Sequence, residues 1–274
     1  MARTRVSRCP LWFALGLLLA PSLGAAQTRP FLFSVTPGHE PGAPRAIVFA
    51  DLAYGRDLFE ALGPEALESR VGAQLTLGSR ATLLSHVGWT TGDGTGDANS
   101  RVTAEAEALI DALPARSRAV LAFGAGARRD YDGSAVALGR VVAGYRWQHT
   151  TAVTNLRLER AFETESAEAP RDPMDVISTF GVAREVGNAL HLGVESVAED
   201  LEGLVESDEA EGGAKLMVGP HLRVEPPGAP WHFLLAGGPV FRLTQSTAAS
   251  PSPAVRDLST RTGYVVRTSI DYRW

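Results

Sequence analysis

The chain has a single cysteine, Cys9, and a single lysine, Lys215, among its 274 residues. With no cysteine after position 9, a chain that loses its first residues cannot be braced by a disulfide, even in a compartment that permits one. Beyond the first 26 residues no stretch approaches 18 consecutive apolar residues, so no transmembrane helix is expected. A basic excess is missing too, since 31 Asp and Glu outnumber 26 Lys and Arg. That balance disfavours nucleic acid as a partner. No G-x-S-x-G elbow, H-E-x-x-H pair or phosphate-binding glycine loop occurs, so neither an enzyme nor a cofactor is expected.

What is present begins with an export signal. Arg3, Arg5 and Arg8 precede the apolar run "LWFALGLLLA" (11–20), and "PSLGAA" supplies small residues for cleavage after Ala26. The run is too short to span a bilayer as a helix, which takes roughly 20 residues. Cys9 lies before the run, which argues against lipid attachment at the cleavage site. Removing the three arginines leaves 23 basic residues against 31 acidic ones, a net charge of −8.

Apolar residues make up 45% of the chain, and they alternate. About a dozen segments show period-two patterning between Gly, Pro, Asp and Ser punctuation. In "PWHFLLAGGPVFRL" (230–243), Trp231, Phe233, Leu235, Phe241 and Leu243 share one face, opposite His232, Gly238 and Arg242. In "AKLMVGPHLRV" (214–224), Leu216, Val218, Leu222 and Val224 oppose Lys215, Gly219, His221 and Arg223. "AEAEALIDAL" has helix propensity, but its neighbours alternate, so it is expected as a strand with Glu105, Glu107 and Asp111 on the polar face.

Short turns at 77–80, 113–117, 147–150, 185–188 and 225–230 alternate with longer polar connections, the rhythm of transmembrane barrels. Placing the first strand at roughly 45–54 and the last at 262–274 gives twelve strands. The expected fold is therefore all-β: a transmembrane antiparallel up-and-down barrel over 45–274. Residues 27–44 fit no strand and are expected as a periplasmic arm or a partial plug. The competing soluble fold is a sandwich or propeller whose apolar faces meet in a dry core.

The final stretch, "GYVVRTSIDYRW", puts Tyr264, Val266, Ile270, Tyr272 and Trp274 on one face and Arg267, Ser269, Asp271 and Arg273 on the other. It resembles the C-terminal signature of Gram-negative outer-membrane β-barrel proteins. Val266, Ile270, Tyr272 and the terminal aromatic Trp274 match that pattern, and Thr268 departs from it mildly. The resemblance covers about a dozen residues. It implies outer-membrane lipid as surroundings and recognition by the barrel assembly machinery.

Extending the parity inward predicts a lumen lined by Glu105, Glu107, Arg128, Arg140, Arg146, Arg157, Glu159, Glu195, Lys215, Arg223, Arg242, Arg267 and Asp271. Such a lumen either carries a narrow passage for small polar solutes or is closed by its own ion pairs. A hairpin centred near residue 206 would set His191 opposite His221, with Glu195 and His232 nearby, a donor set suited to Zn²⁺ or Cu²⁺. Ser85 and His86 are adjacent and should point to opposite faces, so they form no hydrolase dyad. "TGDGTGD" (91–97) resembles a calcium loop only loosely. The acidic loops at 162–175 and 200–213 would suit a surface receptor.

Overall fold

A computed structural model describes residues 29–37, 45–56, 66–92, 101–114, 117–129, 135–162, 174–205, 213–244 and 262–274. The expected signal at 1–26, the candidate calcium loop from Asp93 onward and most of the two acidic loops lie outside those residues.

Twelve strands follow one another: β1 (Ala46–Arg56), β2 (Ala66–Leu77), β3 (Ala81–Gly92), β4 (Arg101–Asp111), β5 (Ala119–Arg129) and β6 (Ala135–Arg146), then β7 (Thr150–Ala161), β8 (Asp175–Glu185), β9 (Leu190–Glu199), β10 (Lys215–Val224), β11 (Trp231–Arg242) and β12 (Gly263–Arg273). Each pairs antiparallel with its sequence neighbours. β12 returns to β1, from Ile47 opposite Arg273 to Arg56 opposite Tyr264, and the barrel closes. Closure leaves no unpaired edge. "AEAEALIDAL" is β4, because a helix there would leave β3 and β5 each with one edge unpaired.

The connections 78–80, 112–118, 147–149, 186–189 and 225–230 lie at one end, together with the start of β1 and the end of β12. Gly78 supplies the left-handed backbone (φ 66°) that the β2–β3 turn needs. The strand ends joined by the connections 57–65, 93–100, 130–134, 162–174, 200–214 and 243–262 lie at the other end. One departs from the expected rhythm, since 130–134 is shorter than 112–118.

The outward face excludes the soluble sandwich. Ile270 is 59% exposed and Phe123 52%, and similar exposed apolar side chains circle the barrel. Among strand residues whose side chains are described, outward charge is confined to strand ends: Arg129 and Arg160 at the long-connection end and Arg184 at the short-turn end. Aromatic pairs mark the same two heights. Tyr54 meets Tyr264 at one (ring centroids 6.2 Å apart), and Tyr145–Trp147 and Tyr272–Trp274 (each 5.0 Å) mark the other. An apolar belt between aromatic girdles is the surface that lipid selects. Leu156→Arg, at mid-height on this belt, should lower stability in lipid vesicles by about 2–4 kcal/mol. The denaturant midpoint measures it, and an unchanged midpoint would argue against lipid at that height.

Candidate functional site

The inward face is mixed rather than uniformly polar. Ile177, Val197, Met217, Val240 and Val265 form an apolar patch on β8–β12. Leu109, Val120, Ala122, Val142, Val153 and Ala183 form a second, nearer the short-turn end. Both patches are completed by a segment that belongs to no strand. Residues 29–37, from the stretch expected as arm or plug, run inside the barrel and bend at Leu32–Ser34.

This segment is held through its main chain by side chains of distant strands. Both oxygens of Glu195 (β9) accept backbone N–H groups, from Leu32 at 3.0 Å and Phe33 at 2.7 Å. Asn155 (β7) grips Val35 twice, accepting its N–H at 2.8 Å and donating to its carbonyl at 3.1 Å. Ser34 donates to Thr179 Oγ1 at 3.1 Å, and the Thr36 carbonyl lies 3.5 Å from Gln74 Nε2. Arg29 makes a bidentate pair with Asp51 (3.1 and 3.0 Å) and stacks on Phe49.

Its side chains fill apolar recesses. Phe31 is fully buried in the second patch, with its ring 5.4 Å from that of His221. The recess exists because position 181 is glycine, where an added Cβ would stand 2.6 Å from the Phe31 ring. Leu32 packs on Leu234 and Ala236, while Phe33 packs on the first patch beneath the Arg267 guanidinium.

The charges predicted to face inward do so, and they are organised in chains. Glu105 pairs with Arg157 (2.8 Å), Arg157 with Glu159 (2.6 Å) and Glu159 with Arg128 (2.6 Å) along β4–β7. Arg140 reaches Glu107 at 2.8 Å and Asn155 at 3.2 Å. Arg267 pairs with Glu68 at 3.1 Å, and Glu68 also binds Arg70. Asp271 accepts from Ser269 at 2.6 Å and lies 3.8 Å from Arg29. Arg146 borders a small recess beside Pro37, Lys215 is buried between its cross-strand neighbours Glu199 and Arg242, and Arg242 donates to the Thr244 carbonyl.

A cavity of about 230 Å³ lies on the long-connection side of the segment. Phe33, Ser34 and Val35 form its floor. Arg70, Arg128, Arg157, Glu105 and Glu159 line it from β2, β4, β5 and β7, and Ile177, Val197 and Val265 with Glu199 and Arg267 from β8, β9 and β12. It is therefore amphipathic, with ion-paired guanidiniums and apolar side chains in one lining.

The four candidate metal ligands do not converge. The β9–β10 hairpin is centred at residue 207, not 206, so His191 faces Arg223 and His221 faces Gly193. Arg223 Nη2 stands 2.9 Å from His191 Nε2, and a cation there repels a metal. Glu195 and His221 (2.7 Å apart) are committed to the lumen segment. His232 lies 3.5 Å from Glu225, a carboxylate already taken by Arg223 (3.2 Å) and Arg273 (3.1 Å). Among the described residues no three His, Cys, Asp or Glu side chains are grouped as metal ligands. Ser85 faces out and His86 in, so they make no dyad.

The parity argument extends to lumen charges it had not singled out, among them Asp51, Glu68, Arg70, Asp175 and Glu199. Asn155 and Thr179 were missed altogether. Both sit at inward positions of their strands, and that parity was the available signal. Val266, Ile270 and Tyr272 face outward, and Trp274 packs edge-on against Tyr272.

The fold is that of the twelve-stranded outer-membrane barrels. The chain is similar in structure to the NanC porin (TM-score 0.55, 7% identity, 83% of this chain and 100% of that one). It is also similar to the KdgM porin in complex with disordered oligogalacturonate (TM-score 0.53, 10% identity, 83% and 99%). At these identities the likeness concerns the fold alone. No protein-family model matches the sequence, and no curated protein matches it.

Proposed function

We propose that this chain is exported by a signal cleaved after Ala26 and inserted in the outer membrane of a Gram-negative cell. The assembly machinery would recognise Val266, Ile270, Tyr272 and Trp274. Its lumen is a passage for small polar solutes, narrowed by residues 29–37. One observation carries this reading: a charged cavity of about 230 Å³ opens above a segment that is not part of the barrel wall. The two similar structures are porins by name, one of them in complex with disordered oligogalacturonate, which supports a channel role. The second reading is a barrel closed by its own contents and serving a structural or binding role. The ion-pair chains and the lodged segment favour it.

Current across a planar bilayer separates the two. Wild-type protein should give small steps, and Phe31→Ala/Phe33→Ala should enlarge them severalfold by loosening the segment. Arg157→Glu should shift the reversal potential toward cations, because it replaces a guanidinium on the cavity wall. Folded protein that conducts in none of these forms establishes the closed barrel.

A further inference from the structure

The contacts made by residues 29–37 have the form of a ligand in a binding site. We infer that the lumen contains a peptide-binding site, occupied here by the chain's own segment, and that short peptides with closely spaced apolar or aromatic residues are its ligand class. The inference rests on the passage reading and names what the passage would recognise.

Two independent features carry it. First, beside the Arg29–Asp51 ion pair, four hydrogen bonds address the peptide backbone rather than particular side chains. Buried Glu195 takes two consecutive N–H groups, and buried Asn155 takes the N–H and C=O of one residue. Contacts of this kind recognise any chain that adopts the same path, as in other modes of peptide capture. Second, specificity comes from shaped recesses for side chains. The Phe31 recess depends on a glycine in the wall, at position 181, and a second recess holds Phe33 under Arg267.

The strand pairing of the barrel does not involve the occupant. All twelve strand pairings, including the β1–β12 seam, are made without residues 29–37. A tethered ligand has a high effective concentration in its own site, so a peptide from outside binds measurably only where the tethered copy is weakened.

The test uses the full chain carrying Phe31→Ala/Phe33→Ala, folded in detergent, with a fluorescein-labelled nonapeptide of sequence RPFLFSVTP, the sequence of residues 29–37. Saturable binding by fluorescence anisotropy is expected. Binding should be at least tenfold weaker for a peptide with alanine at both Phe positions, and lost when Gly181→Leu is added to the barrel. In the planar bilayer the same peptide should reduce the current of the weakened chain. If the weakened chain conducts but shows no saturable binding, the peptide site is wrong and the passage stands. Should it bind peptide with the stated selectivity yet pass no current, the peptide site stands and the passage falls. Equal binding to the Gly181→Leu barrel would also overturn the site, since the recess would then contribute nothing.

Discussion

Arg140→Glu is expected to cost the folded barrel roughly 3–5 kcal/mol, the range for breaking a buried ion pair. Arg140 and Glu107 are both almost wholly buried. The guanidinium Nε lies 2.8 and 3.0 Å from the two Glu107 oxygens, while Nη1 donates to Asn155 at 3.2 Å. Reversal sets two carboxylates against each other, strips Asn155 of a donor and leaves Glu107 with an uncompensated charge. The loss should appear as a lower denaturant midpoint and a lower temperature for the mobility shift of the folded band on a gel. The exchange Glu107→Arg/Arg140→Glu should recover more than half of it, because the pair is restored with its polarity inverted. Recovery no better than the single variant would mean that Arg140 acts by filling space rather than by charge.

The second large effect concerns the lodged segment. Glu195→Leu removes the acceptor for two consecutive backbone N–H groups and leaves them buried without a partner. Hydrogen bonds to a charged group contribute about 1.5–3 kcal/mol each, so a loss of roughly 4 kcal/mol shifts the balance between seated and released segment about a thousandfold. The sequence offers a clean probe, since it has no cysteine after Cys9. A thiol introduced by Ser34→Cys sits in a buried position. Its labelling by a water-soluble maleimide should be slow in the parent and faster by two to three orders of magnitude with Glu195→Leu. An unchanged labelling rate would show that the apolar recesses alone hold the segment.

The strands were legible because a half-buried strand has a side-chain period of two, and parity survives even where register is misjudged. The terminal strand illustrates this: Tyr264, Val266 and Ile270 face out and Arg267 and Asp271 face in, as their spacing predicts. Distances between strands are another matter. A hairpin centre misplaced by one residue moves the cross-strand partner by two, which keeps every side chain on its face but replaces His221 with Arg223 opposite His191. The proposed metal set dissolved on that point. The route of residues 29–37 was hidden for a different reason. Its partners lie 120 to 163 residues away in Asn155 and Glu195, and the segment has no periodicity of its own to announce them. Gly181 carries no sequence signal either, because a missing side chain is informative only once its neighbour is known.

The seam between β1 and β12 has a consequence in time. Arg56 meets Tyr264 and Ile47 meets Arg273, so the first strand waits for the last before the wall is continuous. Residues 29–37 come just before that first strand, and they touch β1, β7, β8 and β9 on different sides of the interior. Such a segment can be laid against a half-built, open sheet and enclosed as the seam joins, or it can be threaded afterwards through a finished mouth. The two histories end in the same contacts but differ in rate. Enclosure makes docking part of the slow, long-range step that closes the sheet, whereas threading makes it a separate and later event.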